Sequence, residues 1–184
     1  MRGIFLSFIV GTIGYLLYFI YDLNQIFSIH KSCKSFFSIG SIFVLVGTLW
    51  ECSLNIKNGF GIFLLILGVA LEIYVLFFAL NFKDTYVDDQ FSLCNRGVYA
   101  LCRHPGFYSF LLIYIGLYVM YQTETFFWIL IVFNIYNFLY IVFQDTYVFP
   151  KLFKEYNQYK KTTPFLIFNK KSIFRCINDF RGIK

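Results

Sequence analysis

The chain has 184 residues, of which 59% are hydrophobic and only 14% are charged, and its net charge is +6. A water-soluble domain of this size needs far more polar surface, so the composition excludes that class and predicts a polytopic α-helical membrane protein. The positive charge lies mostly in the C-terminal part, and we attribute it to the basic flanks of membrane helices rather than to nucleic-acid binding.

Five apolar segments each approach the length of about 20 residues that spans a hydrocarbon core. In chain order they are Gly3–Tyr21, Ser35–Leu54, Gly59–Asn81, Gly106–Gln122 and Phe126–Gln144. The first is not followed by the small residues of a signal-peptide cleavage site, so we expect it to remain as a helix. The fourth is the shortest. The sequence thus predicts an all-α membrane bundle with about five transmembrane spans.

The basic residues fall mostly on one side of this five-span arrangement. Fourteen of the 16 Lys and Arg residues lie on the side that carries the C-terminus, and only Arg2 and Lys57 lie on the other. Because basic loops stay on the cytosolic side of a membrane, we predict that the loop around Arg96 and Arg103 and the C-terminal tail are cytosolic.

Two carboxylates interrupt the apolar spans, where charge is costly. Glu51 lies near the end of the second span, and we expect its side chain to reach toward the interface. Glu72 lies close to the middle of the third span. For Glu72, a role in helix packing and a role in function both stay open.

The loop between the third and fourth spans, residues 95–107, concentrates charge at a membrane boundary. It carries Arg96, Arg103 and His104 between two apolar segments. Charge in this position usually marks a site, because apolar helices have no packing use for it. Pro105 restricts His104 to extended or turn geometry and so ends any helix that runs through Arg103. The sequence predicts a fixed turn that could hold a charged ligand at the mouth of the bundle.

The fifth span carries a stripe of polar residues within about a 100° arc of one helical face. The stripe consists of Asn134, Asn137, Gln144 and Asp145. Hydrogen bonding between helices is one explanation. Because the stripe ends where the other polar motifs meet, we favour one wall of a ligand cavity, with Asn134 and Asn137 on the substrate side.

The segment after the fifth span has an amphipathic pattern from Lys151 to Tyr159. Apolar and aromatic residues recur there at spacings near three and four, and Pro164 follows. This pattern predicts an interfacial helix on the cytosolic leaflet that stops before the proline. The basic segment from Asn169 onward shows no pattern that assigns a structure, and we expect a disordered tail or a segment that lies on anionic lipid.

Together these features resemble the isoprenylcysteine carboxyl methyltransferase family, a group of small integral-membrane methyltransferases. The hallmark of that family is a Gly-x-Tyr-x-x-x-Arg-His-Pro-x-Tyr run. The matching residues here are Gly97, Tyr99, Arg103, His104 and Pro105. Phe107 stands in place of the last tyrosine. Upstream, the apolar stretch around Gly68 and the pair Asn81-Phe82 are similar to the family's approach to this run.

The second half of the resemblance lies downstream and brings the similar region to roughly residues 60–166. Where the family has two adjacent glutamates, this chain has Gln144-Asp145. The family's Phe-Gly-x-x-Tyr-x-x-Tyr helix and Pro-Phe ending correspond to residues 152–159 and to Pro164-Phe165. Arg96 stands where many members have a histidine, and Phe153 replaces the glycine. These departures bear on the substrate and on the level of activity.

The resemblance implies S-adenosylmethionine as the methyl donor. The residues it assigns to the cofactor are Gly97, Val98, Tyr99, Arg103, His104, Pro105, Phe107, Gln144 and Asp145. It assigns catalytic roles to Arg96, His104 and Asp145, with Arg96 a candidate for binding the carboxylate of the methyl acceptor. No metal is predicted, because the five cysteines show no CxxC pair and no metal-ligand spacing.

The chemistry of the cofactor suggests a separate binding role for each of these residues. Arg103 and His104 would bind its carboxylate through charge-assisted hydrogen bonds. Tyr99 and Phe107 would stack on the adenine or lie beside the sulfonium. Asp145 would hold the ammonium group or the ribose hydroxyls. A carboxylate acceptor needs no general base, whereas an amine or thiol would have to lose a proton, with His104 placed to accept it.

The leading hypothesis is methylation of the C-terminal carboxylate of prenylated cysteine, with the bilayer and prenylated protein C-termini as partners. Three alternatives stay open: methylation of a phospholipid amine or another small lipophilic acceptor, a reductase similar to sterol reductases with a nicotinamide cofactor, and a catalytically degenerate membrane scaffold. We expect a three-part division into an N-terminal hairpin (1–58), a methyltransferase-like core (59–166) and a basic tail (167–184). The family resemblance implies location in the endoplasmic reticulum.

Overall fold

The computed structural model describes residues 2–53, 55–79 and 93–182, with side chains from residue 5 onward. Helices account for the regular structure of these residues, and no strand occurs among them. The all-α prediction is therefore confirmed. Leu54 and the pair Asn81-Phe82, which the sequence arguments used, lie outside the described residues, as do Lys83 and Lys184, two of the fourteen basic residues counted above.

Nine α-helices organise the described chain. They are α1 (Arg2–Phe27), α2 (Phe36–Leu49), α3 (Gly59–Ile73), α4 (Val98–Leu101), α5 (Gly106–Tyr121), α6 (Glu124–Phe143), α7 (Phe149–Leu152), α8 (Tyr156–Thr162) and α9 (Lys170–Phe180). A 3-10 turn, Lys31–Ser35, leads into α2. Two π-helical segments continue long helices, with Tyr74–Phe78 after α3 and Gln144–Val148 after α6.

Four continuous helical stretches are long and apolar enough to cross a membrane. They are Phe5–Phe27, Lys31–Leu49, Gly59–Phe78 and Glu124–Leu152. Helix α5 is apolar but shorter, with 16 residues, in agreement with the prediction that the fourth span is the shortest. The architecture is that of a polytopic helical membrane bundle, as the composition predicted.

Helices α3 and α5 pack with their backbones in close contact. A Cβ atom added to Gly61 would lie 2.3 Å from the backbone nitrogen of Met120, and one added to Gly116 would lie 2.6 Å from that of Leu65. Gly68 meets the backbone of Ile113 in the same way. Small residues allow such an approach, which gains dispersion contacts that replace a hydrophobic driving force inside lipid.

The remaining long helices enclose an aromatic core. Helix α1 pairs with α2, where Gly14 and Gly40 meet, and α6 packs against α1 and α5. The Tyr15 hydroxyl donates to the Phe133 carbonyl at 3.2 Å, linking α1 to α6. The Tyr114 and Thr48 hydroxyls lie 2.8 Å apart and link α5 to α2. These buried polar groups are therefore paired across helices, as an apolar environment requires.

Both carboxylates that interrupt the predicted spans make hydrogen bonds to neighbouring helices. Glu51, in the turn that follows α2, accepts a hydrogen bond from Ser7 of α1 at 2.6 Å. Glu72 of α3 accepts a hydrogen bond from Ser109 of α5. The observed role of Glu72 is thus to link the same two helices that meet at their glycines.

The segment predicted as one interfacial helix, Lys151–Tyr159, is helical but interrupted. Helix α7 ends at Leu152, Phe153 is extended, and α8 begins only at Tyr156. The two tyrosines of the pattern are buried, with Tyr156 1% and Tyr159 4% exposed. The apolar periodicity therefore marks a face that packs inside the protein, not a face that rests on lipid.

Candidate functional site at the Arg103 turn

A tight turn at Gly97 starts the segment that carries the predicted motif. Gly97 has φ +56° and ψ −128°, a conformation that residues with a Cβ rarely adopt. The four-residue helix α4 follows, and the chain is then extended at Cys102. Helix α5 begins directly after Pro105, whose fixed φ suits a helix start. The predicted break before Pro105 is thus observed.

Arg103 and Asp145 form a bidentate ion pair in the interior. Arg103 Nε lies 2.7 Å from Asp145 Oδ1, and Nη2 lies 3.1 Å from Oδ2. The two side chains are only 9% and 6% exposed. Arg103 Nη1 donates to the Thr163 carbonyl at 2.7 Å, and its backbone N–H donates to the Pro164 carbonyl at 3.0 Å. Every nitrogen of this guanidinium therefore has an acceptor in the protein.

Asp145 collects further donors from α8. The Tyr156 hydroxyl donates to Asp145 Oδ1 at 2.7 Å, and Lys160 Nζ lies 3.1 Å from Oδ2. The nearby carboxylate and burial both raise the pKa of Tyr156, with burial the larger cause, so this hydroxyl stays a donor. Two cations thus meet one carboxylate, and the cluster carries an excess of positive charge.

His104 lies in an aromatic environment beside the ion pair. Its ring stacks on Phe149 with centroids 5.8 Å apart, and it meets the edge of Phe165 at 5.2 Å. His104 Nε2 is 3.5 Å from Asp145 Oδ1, longer than a normal N–H···O hydrogen bond. This buried nitrogen has no hydrogen-bond partner among the described residues. Burial lowers the pKa of His104 below its ordinary value, although Asp145 opposes the change.

Tyr99 connects this cluster to the third span. Its carbonyl accepts a hydrogen bond of 2.5 Å from the Tyr159 hydroxyl, and its own hydroxyl donates to the Val75 carbonyl at 3.4 Å. Cys102 is fully buried nearby, and burial raises the pKa of its thiol to about 11. The thiol therefore stays protonated near neutral pH and is a poor nucleophile.

A cavity of about 510 Å³ lies beside the start of α4, next to Gly97. Its lining residues are Tyr74, Phe78, Ala79, Arg96, Gly97, Asp179, Phe180 and Gly182. Arg96 and Asp179 give this cavity charges of both signs, and three aromatic rings give it apolar faces. Asp179 Oδ2 also accepts a hydrogen bond of 3.0 Å from the Gly97 backbone N–H. The cavity could thus hold a ligand with both charged and aromatic parts.

The structure brings together only part of the predicted site. Arg103, His104 and Asp145 are in contact, whereas the neighbouring Gln144 turns the other way. Gln144 Nε2 donates to Asp22 Oδ2 at 3.0 Å and to the Tyr140 hydroxyl at 2.9 Å. The predicted polar stripe is therefore split at this point.

Other predicted residues lie at the edges of the cluster. Phe107 is half-buried and meets Phe138 edge-on at 6.2 Å, and Val98 is half-buried at the start of α4. Asn134 Nδ2 donates to the Leu130 carbonyl of its own helix at 2.8 Å, while its Oδ1 is buried without a partner among the described residues. Asn137 is half-buried on the same helix. Their roles in ligand binding stay predictions.

Most of the chain matches a known protein family. A family model described as "Protein of unknown function (DUF1295)" matches residues 17–163. This chain belongs to that family. No curated protein and no solved structure matches it. The matched region of this DUF1295 chain contains Arg103, His104, Asp145, Tyr156 and Lys160, but it ends before α9. The resemblance to isoprenylcysteine methyltransferases stays a prediction.

Sequence reasoning left several residues of this region out of the site, among them Lys160, Tyr74 and Asp179. Lys160 is one of several lysines in a basic segment, and nothing in the pattern distinguishes it. Tyr74 lies near the end of an apolar span, where the pattern predicts an aromatic residue at the membrane interface. Asp179 is an isolated acidic residue within a basic tail, which could have been taken as a signal because all its charged neighbours there are cationic.

The buried His104 predicts a pH dependence of stability for the DUF1295 chain. The unfolded chain takes up a proton at this position below about pH 6.5, whereas the folded chain resists it because its pKa is lower. The free energy of unfolding should therefore fall with decreasing pH below that value, by up to about 1.4 kcal/mol per pH unit. We expect His104→Phe, which keeps the ring contacts, to flatten this profile.

The measurement is SDS titration in mixed micelles from pH 5 to pH 8 for both proteins. His30 is present in both and cancels in the comparison. Parallel profiles for the original chain and His104→Phe would show that the buried imidazole does not resist protonation.

Proposed function

We propose that this DUF1295 chain is an integral-membrane methyltransferase that uses S-adenosylmethionine and methylates the C-terminal carboxylate of prenylated cysteine. The observation that carries the proposal is the convergence of the two halves of the predicted motif on Asp145. Arg103 and His104 reach it from the first half, and Tyr156 reaches it from the second. About 40 residues separate the halves in the sequence.

The charged and aromatic side chains near the turn suit this cofactor. S-adenosylmethionine presents a carboxylate, an ammonium group, a sulfonium and an adenine ring, and when bound it supplies an activated methyl group. The cavity beside α4 offers Arg96 for a carboxylate and Asp179 for an ammonium group. The faces of Tyr74 and Phe78 suit a sulfonium or an adenine.

The geometry shifts some of the predicted roles. Arg103 has no free nitrogen for the carboxylate of a cofactor, because Asp145 and Thr163 occupy its guanidinium. We therefore assign Arg103 and Asp145 to holding the turn in place. Arg96, expected to bind the acceptor, shares its cavity with Asp179 and fits the amino-acid end of the cofactor instead. The unpartnered His104 Nε2 is the group of the cluster with hydrogen-bonding capacity to spare.

Charge favours a carboxylate acceptor over an amine. Arg103 and Lys160 together outweigh Asp145, so the cluster attracts an anion and repels an ammonium group. A carboxylate is ionised at neutral pH and attacks without losing a proton. Burial keeps His104 neutral, and a carboxylate acceptor does not need it as a base. The prenyl chain of such an acceptor would lie in the bilayer, against the exposed apolar faces of the spans.

The orientation of the chain is part of the proposal. The predicted excess of basic residues on one side supports a cytosolic position for the Arg103 turn and the C-terminal helix. Cytosolic S-adenosylmethionine would then reach the cavity without crossing the membrane. Location in the endoplasmic reticulum rests on the family resemblance alone.

Methyl transfer is measured with purified protein in lipid nanodiscs, radiolabelled S-adenosylmethionine, and either a farnesylated cysteine analogue or phosphatidylethanolamine. We expect a base-labile methyl ester on the cysteine analogue. Arg96→Gln and Asp179→Asn should each weaken cofactor binding about ten-fold or more, since each removes one charge-assisted hydrogen bond. Lys154→Gln, a change of an exposed lysine outside the cavity, should leave binding unchanged.

The possible outcomes separate the alternatives. Label on phosphatidylethanolamine alone would replace the carboxylate acceptor with a phospholipid amine. Cofactor binding without transfer to either acceptor would overturn the proposed substrate. If the original chain neither binds the cofactor nor transfers a methyl group, the methyltransferase assignment is wrong and a non-catalytic membrane role replaces it.

A further inference from the structure

Helix α9 turns its apolar side away from the rest of the protein. Four large apolar residues occupy about one third of its circumference. They are Ile173, Phe174, Ile177 and Phe180, which we call the apolar stripe. Phe174 is 70% and Phe180 is 61% exposed. A helix on the surface of a soluble protein normally buries such a stripe, so this arrangement is the reverse of the usual one.

The opposite side of α9 is small and polar, and it packs against α4. Ser172 and Cys176 are buried there. Arg175 Nη1 donates to the Thr162 carbonyl at 3.1 Å, and Asp179 accepts from the Gly97 N–H. Hydrogen bonds thus fix the position of the helix, and the two phenylalanines of the stripe stay mostly exposed.

Local sequence is sufficient to start this helix. Asn169 Oδ1 accepts a hydrogen bond from the Ser172 N–H at 2.9 Å, and the Ser172 hydroxyl accepts one from the Asn169 N–H at 3.1 Å. This reciprocal capping box sets the register of the helix. The helical period of 3.6 residues then places all four stripe residues on one side, which a disordered tail would not do.

The stripe lies at the level where the membrane spans end. Phe180 and Phe78, the last residue of the π-helical segment that ends the third span, line the same cavity. Before α9, Ile167 is 85% exposed and adds to the apolar surface. Basic side chains at both ends of the helix, Lys170 and Arg181, accompany the stripe. Long basic side chains of this kind reach from an apolar surface to charged headgroups.

From this arrangement we propose that α9 is a membrane-surface helix whose apolar stripe inserts into an anionic lipid leaflet. The segment 169–182 contains four basic residues and one acidic residue, and the acidic one faces Gly97. The surface presented outward is thus apolar with a basic margin, which complements acyl chains and anionic headgroups. The proposal does not depend on methyltransferase activity.

A consequence of this insertion concerns the Gly97 turn. Because Asp179 of α9 accepts a hydrogen bond from Gly97, the helix that lies on the leaflet also holds a residue that lines the cavity. The membrane surface and the candidate site are therefore joined by one short contact of 3.0 Å.

Quenching of tryptophan fluorescence by lipids with brominated acyl chains tests the proposal. The full chain is first freed of its two native tryptophans by Trp50→Phe and Trp128→Phe. Phe174→Trp then places the probe on the stripe, and Lys171→Trp places it on an exposed position outside the stripe as the matched control. Both proteins are reconstituted in vesicles that contain phosphatidylserine.

We expect brominated lipid to quench the probe at position 174 at least about two-fold more than the probe at position 171, because only the stripe reaches the acyl chains. The difference should shrink in vesicles of pure phosphatidylcholine. Equal quenching at the two positions, or none at position 174, would overturn the proposal and indicate that water or another protein covers the stripe. An unchanged difference without phosphatidylserine would overturn the assignment to an anionic leaflet.

Discussion

Replacing Asp145 with asparagine is expected to destabilise the folded protein by about 3–5 kcal/mol, since it leaves Arg103 as a buried cation without a counter-charge. The pair is almost fully enclosed, so water cannot replace the lost carboxylate. Lys160, whose side chain is 32% exposed, can turn toward solvent and suffers less. The loss should be visible as a shift in SDS titration and as earlier labelling of the buried thiols Cys102 and Cys176 on heating.

Asp22→Asn is the matched control for this experiment. Asp22 and Asp145 are equally buried, with 4% of each whole residue exposed. Asp22 accepts hydrogen bonds from Gln144 and Tyr140 and has no cationic partner among the described residues. An asparagine at position 22 can still accept, so we expect a change below about 1 kcal/mol. Equal destabilisation by the two substitutions would contradict the view that the buried guanidinium is what makes Asp145 necessary.

Gly61→Ala is expected to force α3 and α5 apart, at a cost of about 3 kcal/mol or more. The added methyl group would lie 2.3 Å from the Met120 backbone nitrogen. A side chain could move aside at moderate cost, but a helix backbone moves only with its helix. The gap would also remove the close contacts at Gly116 and Gly68. The measurement is again the free energy of unfolding in mixed micelles.

Gly59→Ala provides the control within the same helix. Nothing lies within 4 Å of a Cβ atom added to Gly59, so the same chemical change meets open space. Because alanine favours a helix more than glycine does, we expect a gain of up to about 1 kcal/mol. The two substitutions should therefore have opposite signs. Destabilisation by Gly59→Ala as large as that by Gly61→Ala would mean that backbone contact between α3 and α5 is not the cause.

The membrane architecture could be predicted because it depends on composition over long windows. A run of about 20 apolar residues must form a helix in lipid, whatever its neighbours do. The turn before Pro105 was also predictable, since proline acts on the residue beside it. The burial of Tyr156 and Tyr159 was half predictable: the spacing shows an apolar face, but only the fold shows that this face meets Asp145 rather than lipid.

The site was harder to predict because it depends on changes in helical register. The argument from 100° per residue placed Gln144 and Asp145 on one face with Asn134 and Asn137. Gln144 and Asp145 lie at opposite edges of that arc, about 100° apart. A π-helical segment also begins at Gln144, and the two neighbouring side chains serve different networks. Such a shift in backbone hydrogen bonding has no signature in the residue types. The apolar residues of α9, in contrast, were present in the sequence. They could be recognised as a stripe only once the segment was known to be a helix.

Arg103 pairs with residues that come much later in the sequence, and this has a consequence for biosynthesis. Its acceptors belong to Asp145 and Thr163, which leave the ribosome 42 and 60 residues later. Until then the guanidinium has to stay in water or at the lipid headgroups, because an unpaired charge does not enter an apolar interior. The turn at Arg103 can thus close only after the last long helix is in place. A chain that stops before Asp145 would display an unsatisfied arginine, a clear mark by which quality control can distinguish unfinished protein from complete protein.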